Sequence, residues 1–204
     1  MTLFTSSDRM RIARAIQAAE SHTSGEIVCV LARAASDYRA IPVLWAAIIA
    51  LVVPWPLIRW TVMSAELIHL SQMALFCVLA LLLSFAPFRY ALVPGRFKLG
   101  RAREAAREQF TVQGLYRTKA STGVLIYLAE AERYAEIIAD EAITAKVDAT
   151  VWRQAIEALT DSLKDGQRVD GLIEAIAICG RVLSEHAPPG FENPNELPNR
   201  LIIL

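Results

Sequence analysis

The chain has 204 residues, 54% of them hydrophobic, and its 21 Lys/Arg balance its 21 Asp/Glu. This length suits one domain with additions. The three cysteines, Cys29, Cys77 and Cys179, form no CxxC pair, which excludes a disulfide framework and suits a reducing compartment.

The neutral total conceals a local imbalance. From Arg89 to Lys119 there are eight Lys/Arg against two acids, Glu104 and Glu108; from Ala120 onward there are fourteen Asp/Glu against seven Lys/Arg. The first forty residues are polar and helical in pattern, without the short apolar core and cleavage site of a signal peptide. Ser6 or Ser7 is placed to cap a helix with the apolar stripe Ile12, Ala13, Ile16 and Ala19. After Gly25, EIVCVLA (26–32) is almost wholly apolar and reads as a strand buried on both faces. A lone strand of this kind needs sheet partners from further along the chain.

Two apolar runs follow. IPVLWAAIIALVVPWPLI (41–58) and LIHLSQMALFCVLALLLSFAPF (67–88) carry no Asp, Glu, Lys or Arg. About 20 apolar residues cross the roughly 30 Å hydrocarbon layer. The second run is long enough; the first is near the lower limit, and Pro54 and Pro56 predict a kink or a shortened span. Trp45, Trp55 and Trp60 suit interface anchoring, and His69 lies near a span end, where its ring can reach the interface. Arg33 and Arg39 precede the first run; Arg89, Arg96, Lys98, Arg101, Arg103 and Arg107 follow the second; Arg59 is the sole basic residue of the turn. The bias of Lys/Arg toward the cytoplasmic side predicts both flanks, and both termini, in the cytoplasm.

FKLGRAREAAREQF (97–110) combines good helix formers with a heavy basic load. It reads either as a helix lying along anionic headgroups or as an ordinary domain helix that begins near a membrane. No aromatic platform or nucleic-acid motif accompanies the cations, so no nucleic-acid partner is expected.

GVLIYLA (123–129) is a second dry strand and the best partner for 26–32. AEAERYAEIIADEAI (129–143) is ambiguous: its Ala, Glu and Arg content favours a helix, whereas a strand would set Tyr134, Glu136, Ile138 and Asp140 on one face and Arg133, Ala135, Ile137 and Ala139 on the other. Two amphipathic helices follow, with Trp152, Ile156, Leu159 and Leu163 on one and Leu172, Ile176, Cys179 and Leu183 on the next. Leu201 to Leu204 form a short apolar end suited to docking on the domain.

TGVLIYLAEAERYAEIIADEAI resembles the central motif of the TPM domain family: an apolar strand, a turn carrying Glu-Arg, and a second strand ending in Asp. TSGEIVCVLA resembles that family's first strand, the last two helices resemble its closing pair, and NPNELPNRLIIL is similar to the tail of a membrane-hairpin branch. The resemblance implies a strand hairpin over 123–129 and about 133–139. It also implies an α/β, Rossmann-like sandwich with a central β-sheet flanked by helices, interrupted by a two-helix transmembrane hairpin. The expected segments are 1–40, the first helix and strand; 41–93, the hairpin; and 94–204, the remainder. Where the family often has Gly two residues after the Asp, this chain has Ala142, which would resist a positive φ.

Members of this family include phosphatases, divalent-metal binders and assembly factors for membrane complexes, so membership alone does not define chemistry. Hard cations such as Ca²⁺ and Mg²⁺ require several converging oxygens. Asp140 and Asp37, both after strands, are the candidate metal ligands. Glu132 and Arg133, at the hairpin turn, are candidates for a turn or a partner contact. No GxGxxG, P-loop, HExxH or GxSxG motif is present. The expectation is an integral inner-membrane protein with two spans that presents a cytosolic TPM-like domain for protein binding or complex assembly. Its partners would be the lipid bilayer and membrane proteins. The alternative is a membrane-anchored phosphatase dependent on a divalent metal.

Overall fold

The computed structural model describes residues 4–190 and 194–204, and of 86–88 the backbone alone. The chain divides into two compact units: residues 1–35 with 101–204, and residues 36–100.

The first unit opens with α1 (Ser6–Glu20). Its N-cap is Thr5 rather than Ser6 or Ser7, because Thr5 and Asp8 form a capping box in which each side chain serves the other's backbone amide. Ile12 and Ile16 lie on the covered face, and Glu20 continues it one turn later. Strand β1 (Glu26–Ala32) is buried at every residue, as a strand covered on both faces must be.

The second unit contains α2 (Ala40–Val52), α3 (Pro54–Trp60), α4 (Ala65–Ser84) and α5 (Ala86–Ala91). Val53 keeps helical dihedrals between α2 and α3, but Pro54 and Pro56 donate no amide, so the hydrogen-bond ladder breaks there. Ala40–Trp60 and Ala65–Ser84 are both long and apolar enough to cross a membrane, by length and composition. Helix α2 packs on α4 through a seam of small residues: Pro42, Ala46 and Ala50 recur every four positions and are covered, with Ile68 buried on α4. The outward side chains are apolar and bare: Leu51 is 66% exposed, Trp55 80% and Leu81 70%.

Helix α6 (Gly95–Val112) leads back into the α/β unit. After a short 3-10 turn come β2 (Gly123–Ala129), β3 (Tyr134–Ala139), α7 (Glu141–Thr144), α8 (Ala149–Lys164), α9 (Arg168–His186) and β4 (Leu201–Ile203). The four strands form one sheet in the order β3-β2-β1-β4. Strand β1 runs parallel to β2, with Glu26 opposite Gly123 and Ala32 opposite Ala129, and parallel to β4, with Cys29 opposite Leu201. Strands β2 and β3 are antiparallel, Val124 facing Ala139 and Ala129 facing Tyr134.

The pleat sorts the side chains into two cores. Ile27, Cys29, Leu31, Val124, Ile126 and Leu128 face one layer with apolar residues of α1, α8 and α9, including Ile12, Leu159 and Ile176. Val28, Val30, Leu125 and Tyr127 face the other, with Ala106 of α6 and Leu115. The fold is therefore a mixed α/β sandwich with helices on both faces. Residues 134–139 are a strand despite their helix-favouring composition: pairing to β2 satisfies their backbone, and Ala135, Ile137 and Ala139 reach the first core. Ala142 lies inside α7, a helical position where Ala is comfortable, so no positive φ is demanded of it.

Candidate functional site

The register separates the acidic residues into two groups at opposite ends of the β2–β3 hairpin. Ala129 and Tyr134 close the turn end, whereas Asp140 follows Ala139 at the other, where its amide donates to the Gly123 carbonyl at 2.8 Å.

At the turn end, the Arg133 amide donates to the Glu130 carbonyl at 3.1 Å, and Arg133 takes φ 52°, the left-handed conformation that lets a short loop close. Glu132 is buried, and its Oε2 accepts the Ala35 amide at 3.0 Å. The amides of Glu130 and Ala131 donate to the carbonyls of Ala32 and Arg33, both at 3.0 Å. This turn is thus sewn to the segment leaving β1. Outside it, Arg168 donates to Glu130 at 3.2 Å. On the α6 side of the hairpin, Arg103 hydrogen-bonds Tyr134, which raises the arginine's pKa further. Burial pushes the Tyr127 phenol up to about 12, with the charges of Glu132 and Glu108 adding to the shift. Tyr127 is therefore a neutral donor at physiological pH.

At the opposite end, Asp140 caps α7, its Oδ1 accepting the Glu141 amide at 2.8 Å. Its Oδ2 is shielded from solvent and accepts no hydrogen bond among the described residues. In parallel α/β sheets, ligand sites favour the carboxyl ends of the strands; Asp140 lies by the amino ends of β1 and β2. Asp37, in the second unit, pairs with Arg39 at 3.1 Å, with both side chains largely exposed, an arrangement of little energetic value. Among the described residues no three His, Cys, Asp or Glu side chains gather as a metal-binding set. A cation at Asp140 would have to draw most of its oxygens from water or from a partner.

Two buried carboxylates near the amino end of β1 escaped the sequence reading. Glu26 is 5% exposed; its Oε1 accepts the Glu196 amide at 3.0 Å and its Oε2 the Leu197 amide at 3.2 Å. Glu20 accepts the Ile27 amide at 2.8 Å and bonds Asn199. Burial lifts both carboxyls, Glu20 to about 8, and each has a neighbouring acid that adds to the shift: Glu26 beside Glu20, and Glu196 beside Glu26. One signal was available: Glu20 stands four residues after Ile16 on an apolar stripe, where a charge is costly unless it is bonded. The thiols of Cys29 and Cys179 lie fully buried in the first core, where burial pushes Cys29 well up and Cys179 to about 12, so both are packing residues rather than nucleophiles.

The mixed four-stranded sheet with helices on both faces, a hairpin turn bolted to β1 and an Asp-capped exit from β3 define an α/β sandwich domain. Residues 93–182 match the family model of the TPM domain, and the chain carries a TPM domain. That match leaves out α1, β1 and β4, which the sheet and the two cores join to it. The NMR structure of BA42 protein from the psychrophilic bacterium Bizionia argentinensis is similar with a TM-score of 0.61, covering 98% of this chain and 95% of that chain at 20% identity. Likeness at that identity establishes a shared fold. No curated protein matches the chain.

Proposed function

We propose that this is an integral membrane protein that holds its TPM domain at the cytosolic face of the inner membrane as a platform for binding or assembling membrane-protein partners. The carrying observation is the bare apolar surface of α2, α3 and α4, joined by a small-residue seam and inserted between β1 and β2. Water would penalise that surface at roughly 25 cal/mol per Å², and small residues at a helix seam suit packing in lipid. Because β1 and β2 pair with each other, both ends of the hairpin return to one unit, so two crossings leave that unit on a single side. The Lys/Arg bias makes that side cytoplasmic.

A binding role is supported by what the carboxylates do. Glu20, Glu26, Glu132 and Asp140 each accept backbone amides that secure loops, caps or the tail, the use expected of acids that stiffen a display scaffold. Crosslinking in native membranes, followed by purification of the full chain, should recover defined membrane-protein partners. Recovery of lipid alone overturns the reading. A tag at Ser64 should react with reagents added outside the cell; protection there overturns the orientation.

The second reading, a phosphatase dependent on Ca²⁺ or Mg²⁺, is favoured by the free, shielded Oδ2 of Asp140. Turnover of a phosphate ester that requires Mg²⁺, Mn²⁺ or Ca²⁺ and vanishes in Asp140→Ala would establish it. A melting temperature unmoved by these ions would count against it.

A further inference from the structure

We propose that Gly95–Arg101, the first two turns of α6, binds anionic lipid headgroups, with Arg96, Lys98 and Arg101 on the phosphates and Phe97 and Leu99 in the upper acyl boundary. The inference rests on the membrane-spanning reading above and adds the lipid chemistry.

Within Gly95–Arg101 there are three cations and no acid; the first acids of the helix are Glu104, which pairs with Arg101 at 2.8 Å, and Glu108. The helix is covered on one face by the domain, where Ala102 and Ala106 are fully buried. Leu99 lies on that same face, three residues before Ala102 and seven before Ala106, yet it is 47% exposed, so the covering has ended by that point. Phe97 projects from the opposite side and is 65% exposed. The first two turns therefore present apolar side chains on both sides, with Arg96 and Lys98 between them and Arg101 one turn along from Phe97. A one-sided amphipathic helix would segregate these groups. Interleaving suits a short segment in the headgroup layer, with phosphates and acyl chain ends around it, where Arg and Lys stems lie along apolar surface and their heads reach the phosphates. The position along the chain agrees: α6 begins eleven residues after α4 ends at Ser84, so these turns follow the second apolar helix closely.

The test uses the full chain with Cys77→Ser, reconstituted in bilayers of phosphatidylcholine with or without phosphatidylglycerol. Spin labels are placed one at a time at Leu99→Cys and Val78→Cys; the buried Cys29 and Cys179 are shielded from the label. With phosphatidylglycerol, the label at 99 should be accessible to oxygen and shielded from a water-soluble nickel chelate. Its embedded-to-aqueous ratio should fall in phosphatidylcholine alone. It should also fall about fivefold for each cation neutralised in Arg96→Gln, Lys98→Gln and Arg101→Gln, and weaken at high salt. A label at 99 that stays aqueous in both bilayers, or responds identically to both, overturns the inference. The label at 78 separates the two claims. If it is lipid-exposed while 99 is aqueous, the headgroup inference alone fails; if it is aqueous, the membrane-spanning reading fails and this inference with it.

Discussion

Glu26 holds Leu197 across most of the chain's length: its Oε2 accepts the Leu197 amide at 3.2 Å while Oε1 accepts the adjacent Glu196 amide at 3.0 Å. This grip starts the tail four residues before β4, which then pairs with β1 and closes with the Leu204 amide donating to the Leu31 carbonyl at 2.9 Å. Glu26→Ala would leave two part-buried amides without their charged acceptor. The expected loss is about 2 kcal/mol, offset in part by the relieved burial of the carboxylate. Hydrogen exchange should accelerate at Leu201–Leu204 before the rest of the sheet. Unchanged protection there would show that the clamp contributes nothing to strand docking.

Glu20 predicts a pH dependence. Burial raises its folded-state pKa from 4.5 to about 8, so across that window the folded chain keeps a proton that the unfolded chain has released. Stability should fall as pH rises through the window and level off above the folded pKa. Glu26 is shifted in the same direction and steepens the fall. Glu20→Gln keeps an oxygen for the Ile27 amide and removes the charge. The variant should melt higher than the parent at about pH 9 and converge with it at about pH 4. Parallel melting profiles for the two proteins would contradict the assignment.

The close approach of α1 to α9 depends on Gly180. A Cβ added there would lie 2.6 Å from the Ala19 Cβ and 3.2 Å from its Cα. Gly180→Ala gains helix propensity of about 1 kcal/mol but must push the helices apart, at a cost of about 1–3 kcal/mol. The net expectation is a lower melting temperature, partly restored by adding Ala19→Gly. A double-mutant cycle with no coupling between the two positions would refute the contact.

Arg133 occupies the left-handed region at φ 52°. Arg133→Gly should stabilise the domain by a few tenths to about 1 kcal/mol, because glycine carries no Cβ penalty there. Arg133→Val should destabilise it, since a β-branched side chain fits that conformation poorly. Chemical denaturation of the three proteins checks the order Gly, Arg, Val.

Much of this architecture was legible in the residues. EIVCVLA and GVLIYLA announced buried strands through unbroken apolarity, and they pair residue for residue. The apolar stripes of α1, α8 and α9 likewise predicted their buried faces. Local rules failed at 134–139, where Ala and Glu favour a helix and the strand exists only because β2 offers a partner; there the family resemblance, rather than propensity, pointed to the hairpin. They also misplaced the first cap, since Thr5 excels over Ser6 and Ser7 through its reciprocal bond with Asp8. The candidate site was legible in part: the hairpin that the resemblance implies already sets Glu132 and Arg133 at the turn and Asp140 at the far end, as the register does. That the Oδ1 of Asp140 is engaged while its Oδ2 is shielded and, among the described residues, without a hydrogen-bond partner depends on the packing around α7.

By itself the sequence determined the dry strands, the two apolar helices and the basic run that follows them. Those properties follow from hydrophobic pattern and charge along the chain, and both act locally. Only the tertiary structure decided that Glu26 meets Leu197 and that Glu132 meets Ala35; the parting of the carboxylates to opposite ends of the hairpin already followed from the strand pair that the family resemblance implies. Strand register makes those choices: a shift of one residue would turn every side chain of a strand to the other face, and register is set by partners far away in the chain.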